Sequence, residues 1–171
     1  MVFRGKQAFK GTISKFVNDY YFLSNFYMVD IWFAGIKFRN SEAAFHAMKC
    51  IDPKDRIRFA NLHPSEAKKL GRSIELRPDW DQVKEDLMFK ICYAKFSQNS
   101  NLRDKLIETH PKYLEEGNNW NDRYWGVSNG AGLNKLGWIL MKLREHYILA
   151  YKTNDLDAFT KVYMGEEYYN A

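Results

Sequence analysis

The sequence contains only two cysteines, Cys50 and Cys92, among its 171 residues. A chain of this size with two cysteines is not a disulfide scaffold, so a reducing compartment fits it better. Its cysteines and four histidines include neither a CxxC nor an HxxxH pair. We therefore expect no zinc site, and we predict neither a metal nor any other cofactor.

Long apolar runs are also absent. No stretch approaches the roughly 18 apolar residues that a membrane-spanning helix needs, and residues Met1 to Lys10 carry scattered charges rather than a signal peptide. Repeats, low-complexity stretches and interdomain linkers are missing too. We expect a cytoplasmic protein with one domain over residues 1–150. A C-terminal extension over 151–171 would add a short helix that packs back or would stay loosely attached.

Aromatic residues are plentiful, with 12 Phe, 11 Tyr and 5 Trp. Together with a hydrophobic fraction of 46%, they exclude a disordered chain, and they serve either as core or as platforms for a flat ring. The net charge is +5, and residues Met1 to Ala60 hold ten Lys and Arg against five Asp and Glu. This excess favours an anionic partner such as phosphate, nucleotide or nucleic acid, although many soluble domains carry as much.

Alternating residues predict strands only near the beginning of the chain. They cover Thr12 to Val17 and Tyr27 to Asn40, and Ala34-Gly35 forms a plausible hairpin turn within the second segment. The intervening Phe22 to Phe26 interrupts the alternation and indicates a structured loop.

Helical spacing dominates the rest of the chain. We expect Gly71 to cap the end of the third helix and Asp79 to cap the start of the fourth. The fold class is therefore α+β, a helix-dominated single domain with a small antiparallel sheet from the N-terminal third. The predicted helices cover 40–51, 55–62, 64–72, 80–99, 101–110 and 133–147.

The first of these helices has two distinct faces. Its apolar residues share one face, namely Ala44, Ala47, Met48 and Ile51. At about 100° per residue, Glu42, His46 and Lys49 lie on the opposite face. Such a stripe is typical of a solvated helix surface, and from this pattern alone that interpretation is favoured over a chemical one.

Seven blocks of sequence, in order from about Tyr21 to Tyr147, resemble the NADAR family, the YbiA-like proteins. The blocks are FLSNFY from Phe22, F-x-N-S-E-x-x-F-x-A-x-K from Phe38, EAKKLGR from Glu66, LRPDWDQVKEDLM from Leu76, AKFSQNSNLRDKLIET from Ala94, NDRYWG from Asn121 and GAGLNKLGWILMKLRE from Gly130. Their number and order make a chance match improbable.

The resemblance implies a helix-dominated α+β fold and an enzyme that hydrolyses N-glycosidic bonds of nucleotide-like ribosides. It implies two substrate classes, ribosylamino-pyrimidine phosphates of early riboflavin synthesis and ADP-ribose attached to guanine in nucleic acid. The predicted partners are accordingly a phosphorylated riboside or ADP-ribosyl substrate, including nucleic acid that carries ADP-ribosyl-guanine, and no membrane.

The family motifs also carry over onto individual residues. Glu42 and Lys49 match the acid and the lysine of the S-E-H-Y-F-x-A-x-K motif. Trp80 matches R-x-D-W. The remaining matches lie in the D-x-x-W-G and G-x-N-x-L-G blocks, at Asp122, Trp125, Gly126, Asn134 and Gly137. This chain has Ala43-Ala44 where the family usually has His-Tyr, and His46 where Gln is common, which leaves the substrate open.

From this resemblance we predict Glu42, Lys49 and Asp122 as catalytic residues. Breaking a C1′–N bond develops positive charge on the ribose, which a carboxylate at Glu42 stabilises, or the carboxylate activates a water. Asp122 would be its partner or an ordinary turn residue. Lys49 would attack the anomeric carbon to form a Schiff base, or would clamp a phosphate.

Seven further residues are predicted to bind substrate. Trp80 and Trp125 would stack on the leaving base, or Trp80 would belong to the core. Asn25 and Asn134 would hold phosphate or ribose hydroxyls. The other three are Phe26, His46 and Gly126, although a surface position is the simpler expectation for His46. The alternative to an enzyme is a module that binds ADP-ribose or a related nucleotide without cleaving it.

Overall fold

The computed structural model describes residues 9–155. Within these residues, apolar side chains at helical spacing give five α-helices. Their bounds are Ser41–Ala47 (α1), Pro64–Ser73 (α2), Trp80–Gln98 (α3), Ser100–Glu108 (α4) and Lys135–Thr153 (α5). Two 3-10 helices, Asn18–Leu23 and Pro53–Phe59, cover parts of the predicted loop at 22–26 and of the predicted second helix. None of the helices in the described range is both long and apolar enough to cross a bilayer.

The predicted hairpin is confirmed. Strands Met28–Phe33 (β1) and Ile36–Asn40 (β2) pair antiparallel, with Ile31 opposite Phe38. Ala34 and Gly35 form the connecting turn with φ values of 50° and 73°, the left-handed conformation that suits a two-residue hairpin loop. Both Ile31 and Phe38 are fully buried, so one face of the hairpin contributes to the core.

The remaining strands differ from the predicted antiparallel sheet, because they form two short parallel pairs. The short strand Thr12–Ile13 (β3) lies beside Tyr113–Leu114 (β4), and Gly117–Asn118 (β5) lies beside Val127–Ser128 (β6). The predicted strand over 12–17 is therefore shortened to two residues, since its partner is also only two residues long. Neither pair could be predicted from local alternation.

Helix α1 ends four residues earlier than predicted. Asn40 caps its start, with Oδ1 accepting a hydrogen bond from the N–H of Ala43 at 2.8 Å. After Ala47 the chain continues in tight turns, in which the N–H of Lys49 donates to His46 O at 3.2 Å. Lys49 therefore follows the helix instead of lying on it, and Ile51, expected on the apolar face, is 53% exposed.

One predicted cap is wrong, because Gly71 lies inside α2, which continues to Ser73, where it makes room for a neighbouring ring. Asp79 occupies the N-cap position of α3 as predicted, but its carboxylate forms a bidentate ion pair with Arg77 and makes no capping hydrogen bond.

The last helix is longer than predicted. Helix α5 continues to Thr153, past the boundary placed at residue 150. The predicted short C-terminal helix lies outside the described residues.

The helices enclose α1, which is buried around its whole circumference. It contacts α2, α3, the 3-10 helix at 53–59 and the hairpin, and all seven of its residues are buried, including Glu42 and His46. The interpretation of the charged stripe as a solvated surface is therefore wrong. The predicted α+β class is confirmed, and the charged side chains of α1 face the interior.

Candidate active site

A cavity of about 520 Å³ lies beside α1. Its walls come from α1, from the loop after the 3-10 helix at 18–23, from α2 and from the segment between β4 and β6. The volume is within the range of pockets that bury a small molecule. Of the ten predicted site residues, seven line it: Asn25, Phe26, Glu42, His46, Lys49, Asp122 and Trp125.

Glu42 is held at the wall of this cavity by its backbone and by two basic neighbours. Its N–H donates to Asn25 O at 3.1 Å, which ties the start of α1 to the loop after the 3-10 helix at 18–23. Its Oε1 lies 3.1 Å from His46 Nε2 and 4.0 Å from Lys68 Nζ. The residue is only 8% exposed, so its carboxylate is directed into the cavity and not into bulk solvent.

We expected His46 at the surface, but it is buried, with 5% of its area exposed. Burial lowers the pKa of the imidazole, although the hydrogen bond and charge of Glu42 oppose that change. The neutral ring therefore donates from Nε2 to Glu42 Oε1. Its Nδ1 is buried and makes no hydrogen bond within the described residues. His46 thus fixes the orientation of Glu42.

Lys49 has the environment of a weakened base. Its Nζ donates to Gly71 O at 3.4 Å and lies 5.5 Å from the centre of the Trp80 ring. Burial lowers the pKa of this amine, the charges of Arg72 and Lys68 lower it further, and Glu42 acts in the opposite direction. A lysine that loses its proton more easily is suited to nucleophilic attack.

Asp122 lines the cavity and also builds its wall. Its Oδ1 accepts hydrogen bonds from the N–H groups of Tyr124 at 3.1 Å and Trp125 at 2.9 Å. The side chain of Asn118 holds the same residue from the other side, accepting from Asp122 N and donating to Asp122 O. Both proposed roles, site carboxylate and turn residue, are thus compatible with its position.

The two predicted tryptophans are placed differently. Trp125 lines the cavity and meets the ring of Phe45 edge-on at 5.3 Å. Trp80 packs behind Phe45, 5.0 Å away, and does not line the cavity. Besides this contact with Phe45, it reaches the site through the amine of Lys49.

Asn134 and Gly126 also lie behind the wall. Asn134, in the left-handed conformation at φ 50°, accepts from the N–H of Glu116 at 3.0 Å and donates to Leu114 O at 2.9 Å. A Cβ built on Gly126 would overlap Glu116 O. These motif residues therefore position the segment that carries Glu116.

Glu116 is a site residue that the sequence analysis missed. It lines the cavity, and its Oε2 is buried without a hydrogen bond in the described residues. Burial raises the pKa of this carboxyl to about 8, and the negative charges of Glu42 and Asp122 contribute to the rise. The signal available in the sequence was weak, namely an acidic residue six positions before Asp122 in a segment without periodicity.

The remaining cations of the cavity were not predicted from the sequence either. Lys68, from the EAKKLGR block, lies near the rings of Phe26 and Trp120, with Nζ at 5.6 and 5.8 Å from their centres. Lys15 and Arg72 complete the basic part of the lining. Trp120 lines the cavity and is 58% exposed, and an exposed aromatic ring is suited to contact with a flat ligand.

Comparison with known proteins agrees with this architecture. The family model of the NADAR domain matches residues 4–148. N-glycosidase YbiA of Shigella boydii serotype 4 is 42% identical over 132 residues, which are 75% of this chain and 82% of the relative. The riboflavin biosynthesis protein PYRR of Arabidopsis thaliana is 39% identical over 107 residues, which are 58% of this chain but 18% of that longer protein.

A solved structure is similar as well. The NMR structure of the Escherichia coli protein YbiA superposes with a TM-score of 0.73 at 34% identity, covering 85% of this chain and 92% of that one. The name N-glycosidase, carried by a relative that covers most of the chain, confirms the predicted enzyme class, a hydrolase acting on N-glycosyl compounds. From the extent of the family match and these similarities, the chain belongs to the NADAR domain family.

Proposed function

We propose that this protein hydrolyses the N-glycosidic bond of a phosphorylated riboside. The observation that carries the proposal is the meeting of Glu42 and Lys49 in one cavity that also contains cations and aromatic faces. The carboxylate and the amine suit the reacting sugar, the cations suit a phosphate, and the rings suit the base. The relatives named N-glycosidase support the reaction class.

The carboxylate of Glu42 would act at the anomeric carbon. As the C1′–N bond breaks, the ribose ring develops oxocarbenium-like charge, which a carboxylate held by His46 and Lys68 stabilises. The same carboxylate can instead take a proton from the attacking water. Either role requires the fixed orientation that the His46 hydrogen bond supplies.

Lys49 would serve in one of two ways. As a nucleophile, its neutral Nζ attacks C1′ while the base departs, the ribose ring opens to an imine, and water then releases the sugar and regenerates the amine. As a cation, it would hold the phosphate beside Lys68 and Arg72. Reduction with borohydride during turnover distinguishes them, because only an imine becomes a stable covalent adduct at Lys49.

Two substrates meet these requirements. The name of the riboflavin biosynthesis relative favours a ribosylamino-pyrimidine phosphate. The exposed face of Trp120 and the basic lining favour a larger polyanion, ADP-ribose attached to guanine in nucleic acid. The test is incubation of the protein with each compound and identification of the products by mass.

Release of ribose 5-phosphate from the pyrimidine, or of free ADP-ribose from a guanine-modified oligonucleotide, would support the proposal and identify the substrate class. The alternative, a binding module, predicts binding of ADP-ribose with no product from either compound. Glu42→Gln is the matched variant, because it keeps the size of the side chain and removes its charge. The enzyme hypothesis expects binding without turnover from Glu42→Gln, and the module hypothesis expects wild type and variant to behave alike.

A further inference from the structure

Glu116 faces the same cavity as Glu42 and Asp122, but it differs from both in its hydrogen bonds. Glu42 has a basic partner on Oε1, and Asp122 Oδ1 accepts two backbone N–H groups. Glu116 Oε2 is buried and has no hydrogen-bond partner among residues 9–155. A buried carboxyl oxygen without a partner is costly, so its presence at a cavity calls for a functional explanation.

The backbone of Glu116 is held in place from three directions. Its N–H donates to Asn134 Oδ1 at 3.0 Å, and its carbonyl accepts from the N–H of Val127 at 2.9 Å and from Asn118 Nδ2 at 3.4 Å. The absence of a side chain at Gly126 permits this close approach. A side chain on such a rigid support presents its carboxyl group at a fixed point of the cavity.

The groups that face Glu116 come from four parts of the fold. The negative charges of Glu42 on α1 and Asp122 on its own loop disfavour ionisation of its carboxyl. Lys68 on α2 and Lys95 on α3 act in the opposite direction, but burial outweighs them. The pKa of about 8 that results favours a protonated Glu116 at neutral pH, and a protonated carboxyl group held at a fixed point of the cavity can donate a proton.

We infer that Glu116 is the general acid of the reaction, which protonates the departing nitrogen of the base. This assignment rests on the proposed function and adds a catalytic residue to it. As the C1′–N bond breaks, its electron pair moves to nitrogen and takes the proton from the Glu116 carboxyl. Water forms the new C1′–O bond and gives a proton to Glu42, and exchange with solvent returns both carboxyl groups to their starting states.

The test compares Glu116→Gln with Glu115→Gln on whichever substrate the wild type cleaves. Glu115 is the adjacent acid in the chain and does not line the cavity, so its variant controls for the loss of one carboxyl from this segment. We expect Glu116→Gln to lower kcat by about 100-fold or more with little change in KM, and Glu115→Gln to remain close to wild type.

The pH profile supplies a second readout that uses the wild type itself. Activity should fall as the pH rises through about 8, where Glu116 loses its proton. The residual activity of Glu116→Gln should not show this fall. A folded Glu116→Gln protein that keeps kcat within a few-fold of wild type would overturn the assignment, and so would a wild-type profile that stays flat to pH 9. A wild type inactive on both substrates would instead overturn the proposed function, and this assignment with it.

Discussion

The ring of His46 occupies the space that Gly71 leaves open on the adjacent helix. A Cβ built on Gly71 would overlap Nδ1 and Cγ of that ring. Because the opposite nitrogen, Nε2, bonds to Glu42, the glycine on α2 determines indirectly how the carboxylate on α1 is oriented. The EAKKLGR block therefore contributes to the site in two ways. It supplies a lysine to the cavity, and its glycine leaves the space that the His46 ring fills.

Gly71→Ala should therefore impair both stability and activity. Alanine improves helix propensity by about 1 kcal/mol, but overpacking of a buried ring costs roughly 1–3 kcal/mol, so we expect a net loss of about 1 kcal/mol of unfolding free energy. Chemical denaturation measures this loss, and kcat should fall because the His46–Glu42 bond is displaced.

His46→Ala supplies the matched control for Gly71→Ala. Removing the ring abolishes the overlap, so the double variant should be more stable than the sum of the two single effects predicts. Additive losses of stability would contradict the proposed contact.

Glu116→Gln should change the dependence of stability on pH. Because the folded pKa of Glu116 is raised from its ordinary 4.5 to about 8, the contribution of this group to stability is complete below pH 4.5 and is lost as the pH rises towards 8. Glutamine cannot ionise, so the variant should gain stability relative to wild type over this interval, on the order of 1–4 kcal/mol. Urea denaturation at pH 5 and pH 8 measures the difference. A constant difference between the two proteins at both pH values would argue against a protonated Glu116.

Asn40→Ala should destabilise the protein more than an exposed cap variant does. The side chain caps α1 through Ala43 N and also donates to Leu62 O at 3.0 Å, and the residue is fully buried. Loss of a cap costs about 1 kcal/mol, and the unpaired Leu62 carbonyl adds to it, so we expect about 2 kcal/mol from thermal or urea denaturation. Asp52→Ala, which removes an exposed cap on Lys54 N, serves for comparison and should cost less. Equal losses would show that burial of the Asn40 cap adds nothing.

Lys68→Met should weaken substrate binding more than it slows chemistry. Its Nζ lies 4.0 Å from Glu42 Oε1 and 5.6 and 5.8 Å from the centres of the Phe26 and Trp120 rings, at the cavity where a phosphate would bind. Loss of one charge-assisted hydrogen bond predicts a rise in KM of about 10-fold and a weaker dependence of KM on salt. Lys90→Met, which removes a surface lysine paired with Asp86, should leave KM unchanged. An unchanged KM in Lys68→Met would assign phosphate binding to other cations.

The elements that the sequence predicted well are those with a local cause. The hairpin follows from alternation with Ala34-Gly35 between its strands, and the long helices α3 and α5 follow from apolar spacing. The end of α1 at Ala47 is not marked by a capping residue in the sequence, because the helix ends in a turn closed by backbone hydrogen bonds. Local patterns therefore gave the start of this helix and not its end.

The site was predicted only where family motifs coincide with the cavity. Glu42, Lys49 and Asp122 meet there as expected, but the roles of Gly126 and Asn134 depend on contacts with Glu116 across the fold. Nor could the burial of His46 be predicted, because it depends on what is missing at Gly71. Such effects arise from tertiary neighbours, which neither periodicity nor composition encodes.

The short parallel pair of β3 and β4 has a consequence for the order in which the protein becomes functional. It joins Thr12 to Tyr113, so the wall that includes Lys15 meets the wall that includes Glu116 only after a large loop has closed. Closing such a loop costs entropy before any contact compensates for it. During synthesis, Glu42 is therefore present long before the cavity can form. A polypeptide that ends before β4 should be inactive, however well its first helices have folded.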